Sequence, residues 1–263
     1  MSLIAWILLF SFMSGVLSVL AASLFLTLQE SLRKRVLPHL VSFATGSLLG
    51  AAFLGLLPHA LLSSEITDVH NVTMTVLFGI LGFFLLEKMV LWRHCHTAEC
   101  EVHGAEHEDS KPIESAPAGT LILVGDAVHN FVDGVLIAAA FMTDIHLGVV
   151  TALAVAAHEI PQEVGDFAIL LNSGFSRTKA LAYNILSSLA TLVGAILAYF
   201  SLGMVESVIP YVLAVAASSF IYVAVADLIP SLHKRPEAGI ALQQFVLISM
   251  GVGVIYLMHQ LLH

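Results

Sequence analysis

Asp126-Ala-Val-His129-Asn130-Phe-Val-Asp133-Gly134 and His158-Glu159-Ile-Pro161-Gln162-Glu163-Val-Gly-Asp166 are the two stretches on which the reading of this chain turns. Each lies in an apolar run long enough to span a bilayer, residues 119–142 and 147–172. A charged group at membrane depth costs about 2.5–3.5 kcal/mol on insertion scales, so such groups mark a pathway or a site. Here carboxylates, imidazoles and amides recur three and four residues apart, which sets them on one face of each helix. Facing helices with such rows can hold a metal ion between them.

Working outward, the whole chain shares this apolar character. It has 263 residues, 58% hydrophobic and 11% charged, with mean hydropathy +0.94. A soluble domain carries about 25% charged residues. The chain therefore reads as an all-α polytopic membrane protein. Its apolar runs are 4–27, 39–62, 73–93, 119–142, 147–172, 179–202, 208–232 and 240–262. Each approaches the roughly 20 residues that a spanning helix needs. Eight such helices nearly exhaust the sequence, so a single transmembrane domain over 1–263 is expected, with no soluble domain beside it. The first run lacks the basic start and small-residue cleavage site of a removed signal peptide and is expected to stay.

Orientation follows from the ten Lys and Arg. Arg33, Lys34 and Arg35 flank run 1; Lys88, Arg93 and Lys111 border the connection after run 3; Arg177 and Lys179 follow run 5; Lys234 and Arg235 follow run 7. The other connections and both termini have none. By the positive-inside rule those four loops are cytoplasmic and both termini face outside. The formal charge of −9 comes from intramembrane carboxylates and one acidic loop, and gives no sign of nucleic acid.

The one long connection, 94–118, carries His94, Cys95, His96, Cys100, His103 and His107 and closes in a Pro/Ser/Ala stretch. Such composition cannot build a packed core and is expected to be disordered. Its ligands suit zinc and similar ions. Weak metal binding or sensing and a plain solvated linker both fit it. A disulfide between Cys95 and Cys100 is not expected on the cytoplasmic side.

A faint internal repeat joins Leu56-Leu57-Pro58-His59-Ala60-Leu61 to Asp227-Leu228-Ile229-Pro230-Ser231-Leu232. The orientation puts these endings on opposite membrane faces, as an inverted repeat requires. Runs 4 and 5 would then form the middle of a 3+2+3 arrangement.

At about 1.5 Å rise per residue, His129 to Asp133 lie halfway along run 4, and His158 to Gln162 halfway along run 5. The clusters therefore meet at one depth on antiparallel helices. Pro161 has no N–H, so the carbonyl of Ala157 loses its helical partner and can serve a cation or water. Asp126 and Asp166 fit either a helix–helix hydrogen bond or the pathway. His59 fits an interfacial group or an access ligand; Asp227 fits a structural cap or the exit. Glu87, His259 and His263, near helix ends, read as solvated.

These residues resemble the ZIP (Zrt/Irt-like) family of divalent-metal transporters, in the subfamily with His-Asn-Phe-x-Asp-Gly on helix 4 and His-Glu-x-Pro-His-Glu on helix 5. His129 to Gly134 fits fully, and His158 to Phe167 fits at all places but one. Leu-Leu-Pro-His59, the run Tyr222 to Asp227 and the His-rich loop agree as well. The resemblance implies a binuclear centre at the membrane midplane and metal moving toward the cytoplasm. His129, Asp133, His158 and Gln162 would form one site. Asn130, Asp133 and Glu159 would form the second, with Asp133 bridging and Glu163 adjacent. The departure is Gln162, where the subfamily has His. A neutral amide oxygen is a weaker zinc ligand than imidazole, which puts metal preference in doubt.

The expectation is a transporter, not an enzyme, moving Zn2+, with Fe2+, Mn2+ and Cd2+ as further candidates, into the cytoplasm by alternating access. A divalent-cation exporter is the main alternative. An intramembrane hydrolase needs His-Glu-x-x-His, and Gln162 and Pro161 argue against it; a metal-sensing receptor without transport is also compatible. Expected partners are divalent ions and lipid, with a homodimer as a candidate assembly. The short loops and length suggest a bacterial inner membrane.

Overall fold

A computed structural model of the chain describes residues 1–95, 116–233 and 238–262. Among them there is no strand. The helices, in chain order, are α1 (Leu3–Phe25), α2 (Glu30–Leu61), α3 (Val69–Cys95), α4 (Ala116–Thr143), α5 (Ile145–Asn172), α6 (Arg177–Leu202), α7 (Glu206–His233) and α8 (Ala238–Leu262). Seven of them are long and apolar enough to cross a membrane. The other is α5, which is just as long at 28 residues. Its apolar run is diluted by His158, Glu159, Gln162, Glu163 and Asp166, the side chains that mark it as a site-bearing helix. The helix is the expected solution, because it satisfies every backbone hydrogen bond within one segment.

α2 starts at Glu30, well ahead of its apolar run, so Arg33, Lys34 and Arg35 sit on its first turns. Two helices widen into π turns at matched places. In α2 the segment Ala51–Leu56 precedes Leu57-Pro58; in α7 the segment Val223–Leu228 precedes Ile229-Pro230. In both, the proline cannot donate to the carbonyl four residues back, so the ladder is disturbed where the turn widens. α1 has a third π turn, Met13–Leu17.

Sharp corners set the central helices. Only Asp144 separates α4 from α5, and its carboxylate caps α5 by accepting from the amides of His146 (2.8 Å) and Leu147 (3.0 Å). α5 ends with Gly174 at φ +86°, where the Phe175 amide bonds the Leu170 carbonyl and the Gly174 amide that of Leu171.

Tight packing relies on glycine. A Cβ on Gly134 would lie 1.9 Å from the Thr191 carbonyl oxygen, and one on Gly194 2.1 Å from that of Phe131, so α4 and α6 touch backbone to backbone. Gly46 and Gly251 do the same for α2 and α8, at 2.0 Å from Ile248 O and 2.4 Å from Phe43 O. Small residues at the seam are how helices associate where lipid removes the hydrophobic drive. α3 packs on α7, and α5 on α1 and α2. The buried core is alanine-rich (Ala138, Ala139, Ala140, Ala216, Ala217), while α3 and α8 turn large apolar side chains outward.

Candidate metal site

α4 brings His129 and Asp133 to the centre, one turn apart on one face; α5 brings His158 and Glu159 to meet them. The four ligand atoms lie within 4.8 Å of one another. His129 Nε2 and His158 Nε2 are 3.3 Å apart. His129 Nε2 is 3.7 Å from Asp133 Oδ2 and 3.6 Å from Glu159 Oε1; His158 Nε2 is 3.5 Å and 3.7 Å from the same two oxygens. Zinc–ligand bonds of about 2.0–2.2 Å in a tetrahedron give ligand–ligand edges of about 3.3–3.6 Å. Five of the six edges run from 3.3 to 3.7 Å, close to that figure, so the two imidazoles and two carboxylates could hold a single ion.

Their protonation fits as well. His158 Nδ1 is 3.2 Å from the Ala154 carbonyl. A carbonyl only accepts, so Nδ1 carries the proton and Nε2 turns its lone pair toward the other ligands. Asp133 and Glu159 are each 1% exposed, and none of their four carboxylate oxygens accepts a hydrogen bond. Two buried carboxylates beside each other are costly unless a proton, an imidazolium or a metal cation neutralises them.

The remaining expected residues divide into two groups. Asn130 is buried but stands outside the four: its amide nitrogen donates to Asp126 Oδ1 (3.0 Å) and its oxygen accepts from Thr191 Oγ1 (2.8 Å). Glu163 is fully buried, again with no hydrogen bond on either oxygen, and Asp126 Oδ2 is equally bare. Gln162 lines a cavity of about 540 Å³ that starts at His129 and runs past Asp126 and Asp166 to Asp227 near the end of α7. His59 lies at the opposite end of the molecule, beside Glu206 in a smaller cavity and edge-on to His259 at 5.9 Å. His96, Cys100, His103 and His107 lie outside the described residues, as does His263; His94 and Cys95 are the last residues of α3.

Glu87, expected to be merely solvated, accepts a hydrogen bond from Tyr222 and lines the large cavity. His259 is not free at its helix end but meets His59. Thr191 was not foreseen. It sits on the polar row Asn184, Ser187, Ser188, Thr191 of α6, all buried, and a three-to-four spacing of small polar residues in an apolar run was its signal.

A bundle of membrane-length helices whose buried centre gathers two histidines and two carboxylates is a multi-pass membrane protein with a metal-ligand set between α4 and α5. Comparison with known proteins then supplies the family. Residues 92–259 match the family described as ZIP Zinc transporter, and the chain belongs to the ZIP zinc transporter family. It is 34% identical over 234 residues to "Zinc transporter ZIP13" of Pongo abelii, covering 84% of this chain and 66% of that protein. It is 30% identical over 251 residues to "Zinc transporter ZIP13" of Mus musculus, covering 84% and 70%. A shorter match, 37% over 158 residues, joins it to "Zinc transporter ZIP10" of Danio rerio, covering 57% of this chain but 18% of the relative. The family is one of transporters and not of enzymes. These relatives come from animals and lend no support to a bacterial inner membrane.

Proposed function

We propose that this chain carries Zn2+ across a membrane into the cytoplasm, with His129, Asp133, His158 and Glu159 as the transient ligands of the ion. The observation that supports this most is the convergence of those four groups within 4.8 Å of one another, paired with carboxylate oxygens that accept no hydrogen bond. Zinc is the substrate, held long enough to lose its water and released when the helices move. Fe2+, Mn2+ and Cd2+ are further candidates. A second ion would draw on Asp133 as the bridge, Glu159 and Asn130, with Gln162 and Glu163 near it, and would need Asn130 to exchange its hydrogen bonds to Asp126 and Thr191.

Direction rests on the basic residues, which place the start of α2 and the end of α7 in the cytoplasm and both termini outside. On that orientation the cavity from His129 to Asp227 opens inward, and Asp126, Asp166 and Asp227 form an acidic way out. His59 and Glu206 would stand at the outer side. The matched π-turn and proline pairs of α2 and α7 support an inverted repeat, with α1–α3 and α6–α8 flanking α4 and α5. Alternating access then follows from movement of the central pair against the flanking helices. The 94–118 loop would tune this rather than carry the ion.

The test is zinc uptake into proteoliposomes by Asp133→Ala. Loss of at least about a hundredfold in rate is expected, because this carboxylate touches both imidazoles and its removal leaves Glu159 as the sole anion of the four. Undiminished uptake by a monodisperse, folded variant would show that the site lies elsewhere. Export from loaded vesicles without uptake would favour the exporter.

A further inference from the structure

Far from the metal ligands, the first turns of α2 and α8 enclose a cavity of about 350 Å³ lined by Lys34, Arg35, His39, Gln243 and Gln244 among others. We propose that it binds the phosphate of an anionic phospholipid, with the acyl chains lying along the neighbouring apolar faces.

The walls are built to stay in place. His39 Nδ1 is 2.6 Å from the Arg35 carbonyl, which fixes its ring, and Gln244 donates to the Leu232 carbonyl at 3.1 Å, tying α8 to the end of α7. Behind them, Gly46 and Gly251 lock α2 to α8. The charged groups, by contrast, reach solvent: Lys34 lies 2.6 Å from Glu30, but both side chains are more than two-thirds exposed, at 71% and 68%. An exposed pair of this kind is weak, so Lys34 can turn to a stronger anion. Arg35 offers planar paired donors suited to phosphate, and the Gln243 amide adds another. Glu30 is the opposing charge, and it selects for a ligand that brings enough negative charge to displace it.

Phosphate could come from a lipid headgroup or from a soluble ester. The surroundings favour the lipid. On the same two helices Leu32, Leu242, Phe245 and Val246 are 43%, 65%, 67% and 55% exposed, an apolar flank along which the acyl chains of a lipid held at the pocket can lie. A basic pocket between membrane helices beside such a flank suits a headgroup with its chains in the bilayer. The cavity volume sits at the small end of ligand sites, enough for a phosphoglycerol group. That the pocket faces the anionic cytoplasmic leaflet rests on the orientation given above; its chemistry does not.

The experiment uses the full chain in phosphatidylcholine nanodiscs doped with phosphatidylglycerol, with retained lipid counted by native mass spectrometry. Wild type is expected to keep phosphatidylglycerol selectively. The Lys34→Ala, Arg35→Ala double variant should bind it roughly thirtyfold more weakly, the effect of two surface charges. Lys88→Ala, a basic residue elsewhere, should behave as wild type, and soluble glycerol phosphate should not displace the lipid. Equal retention by the double variant overturns the site. An equal loss in Lys88→Ala reduces it to diffuse charge. Displacement by glycerol phosphate at matched concentration makes it a soluble-anion site and rejects the lipid. None of these readouts involves metal, so failure here is separate from failure of the transport reading.

Discussion

α3 and α5 are almost equal in length, 27 and 28 residues, and opposite in every other respect. α3 shows Met74, Leu77, Phe78, Leu81, Phe84 and Leu85 to its surroundings, and its half-buried Glu87 accepts a hydrogen bond from Tyr222. α5 hides His158, Glu159 and Glu163 completely. In a water-soluble bundle the first pattern would be an aggregation surface and the second a folding defect. In a bilayer both are consistent. Lipid solvates the outside, and polar groups gather where other polar groups, or an ion, can pair with them. The contrast therefore separates a helix with an apolar exposed face from the one that carries the candidate ligands.

The sharpest way to break this division is to force α4 away from α6. Gly134→Val places a branched side chain where a single Cβ already comes within 1.9 Å of the Thr191 carbonyl. No folded protein is expected, read as loss of the monodisperse peak in detergent; a normal peak with wild-type uptake would mean that the two helices do not meet so closely.

A gentler probe keeps the fold and loosens the site from behind. Thr191→Val removes the hydroxyl that fixes Asn130, which in turn holds Asp126. Thr191 reaches the ligand His129 only through its helix neighbour Asn130, further away than the ligand-orienting groups worth about 10–100-fold in metal affinity, so the apparent zinc affinity in uptake assays should fall by less than about tenfold with little change in thermal stability. An unchanged affinity would make Thr191 a packing residue only.

Gln162→His restores imidazole beside His129 in the cavity. Nitrogen suits zinc better than an amide oxygen, which suits harder ions. Competition between Zn2+ and Mn2+ in proteoliposomes should shift several-fold toward zinc. A shift toward manganese would remove Gln162 from the ligand set.

The smallest effect belongs to the lipid face. Leu81→Ala, at a side chain 52% exposed on α3, should leave uptake within about twofold of wild type, since lipid fills the space the isopropyl group vacates. A large loss would show that α3 is covered by protein there, and would bring a second copy of the chain into consideration.

Much of this was legible before any coordinates. The apolar runs located the helices because a bilayer demands length and apolarity before anything else. The depth count placed His129, Asp133, His158 and Glu159 at one level because helical rise is nearly constant. What misled was the habit of treating polar groups near helix ends as solvated. Glu87 and His259 each found a partner from a helix far away in sequence, Tyr222 on α7 and His59 on α2, and no local pattern announces such pairings.

Residue order alone thus established a helical membrane protein with its chemistry on two antiparallel helices, since those features follow from local periodicity and from the cost of charge in hydrocarbon. Only the packed structure decided which of these side chains come together within 4.8 Å. Asn130 and Glu159 look equally suited in sequence, yet Glu159 points among the imidazoles while Asn130 is tied to Asp126 and Thr191. That choice comes from the approach of α4 to α6, set by Gly134 and Gly194, and is therefore a property of helix pairs that no single helix encodes.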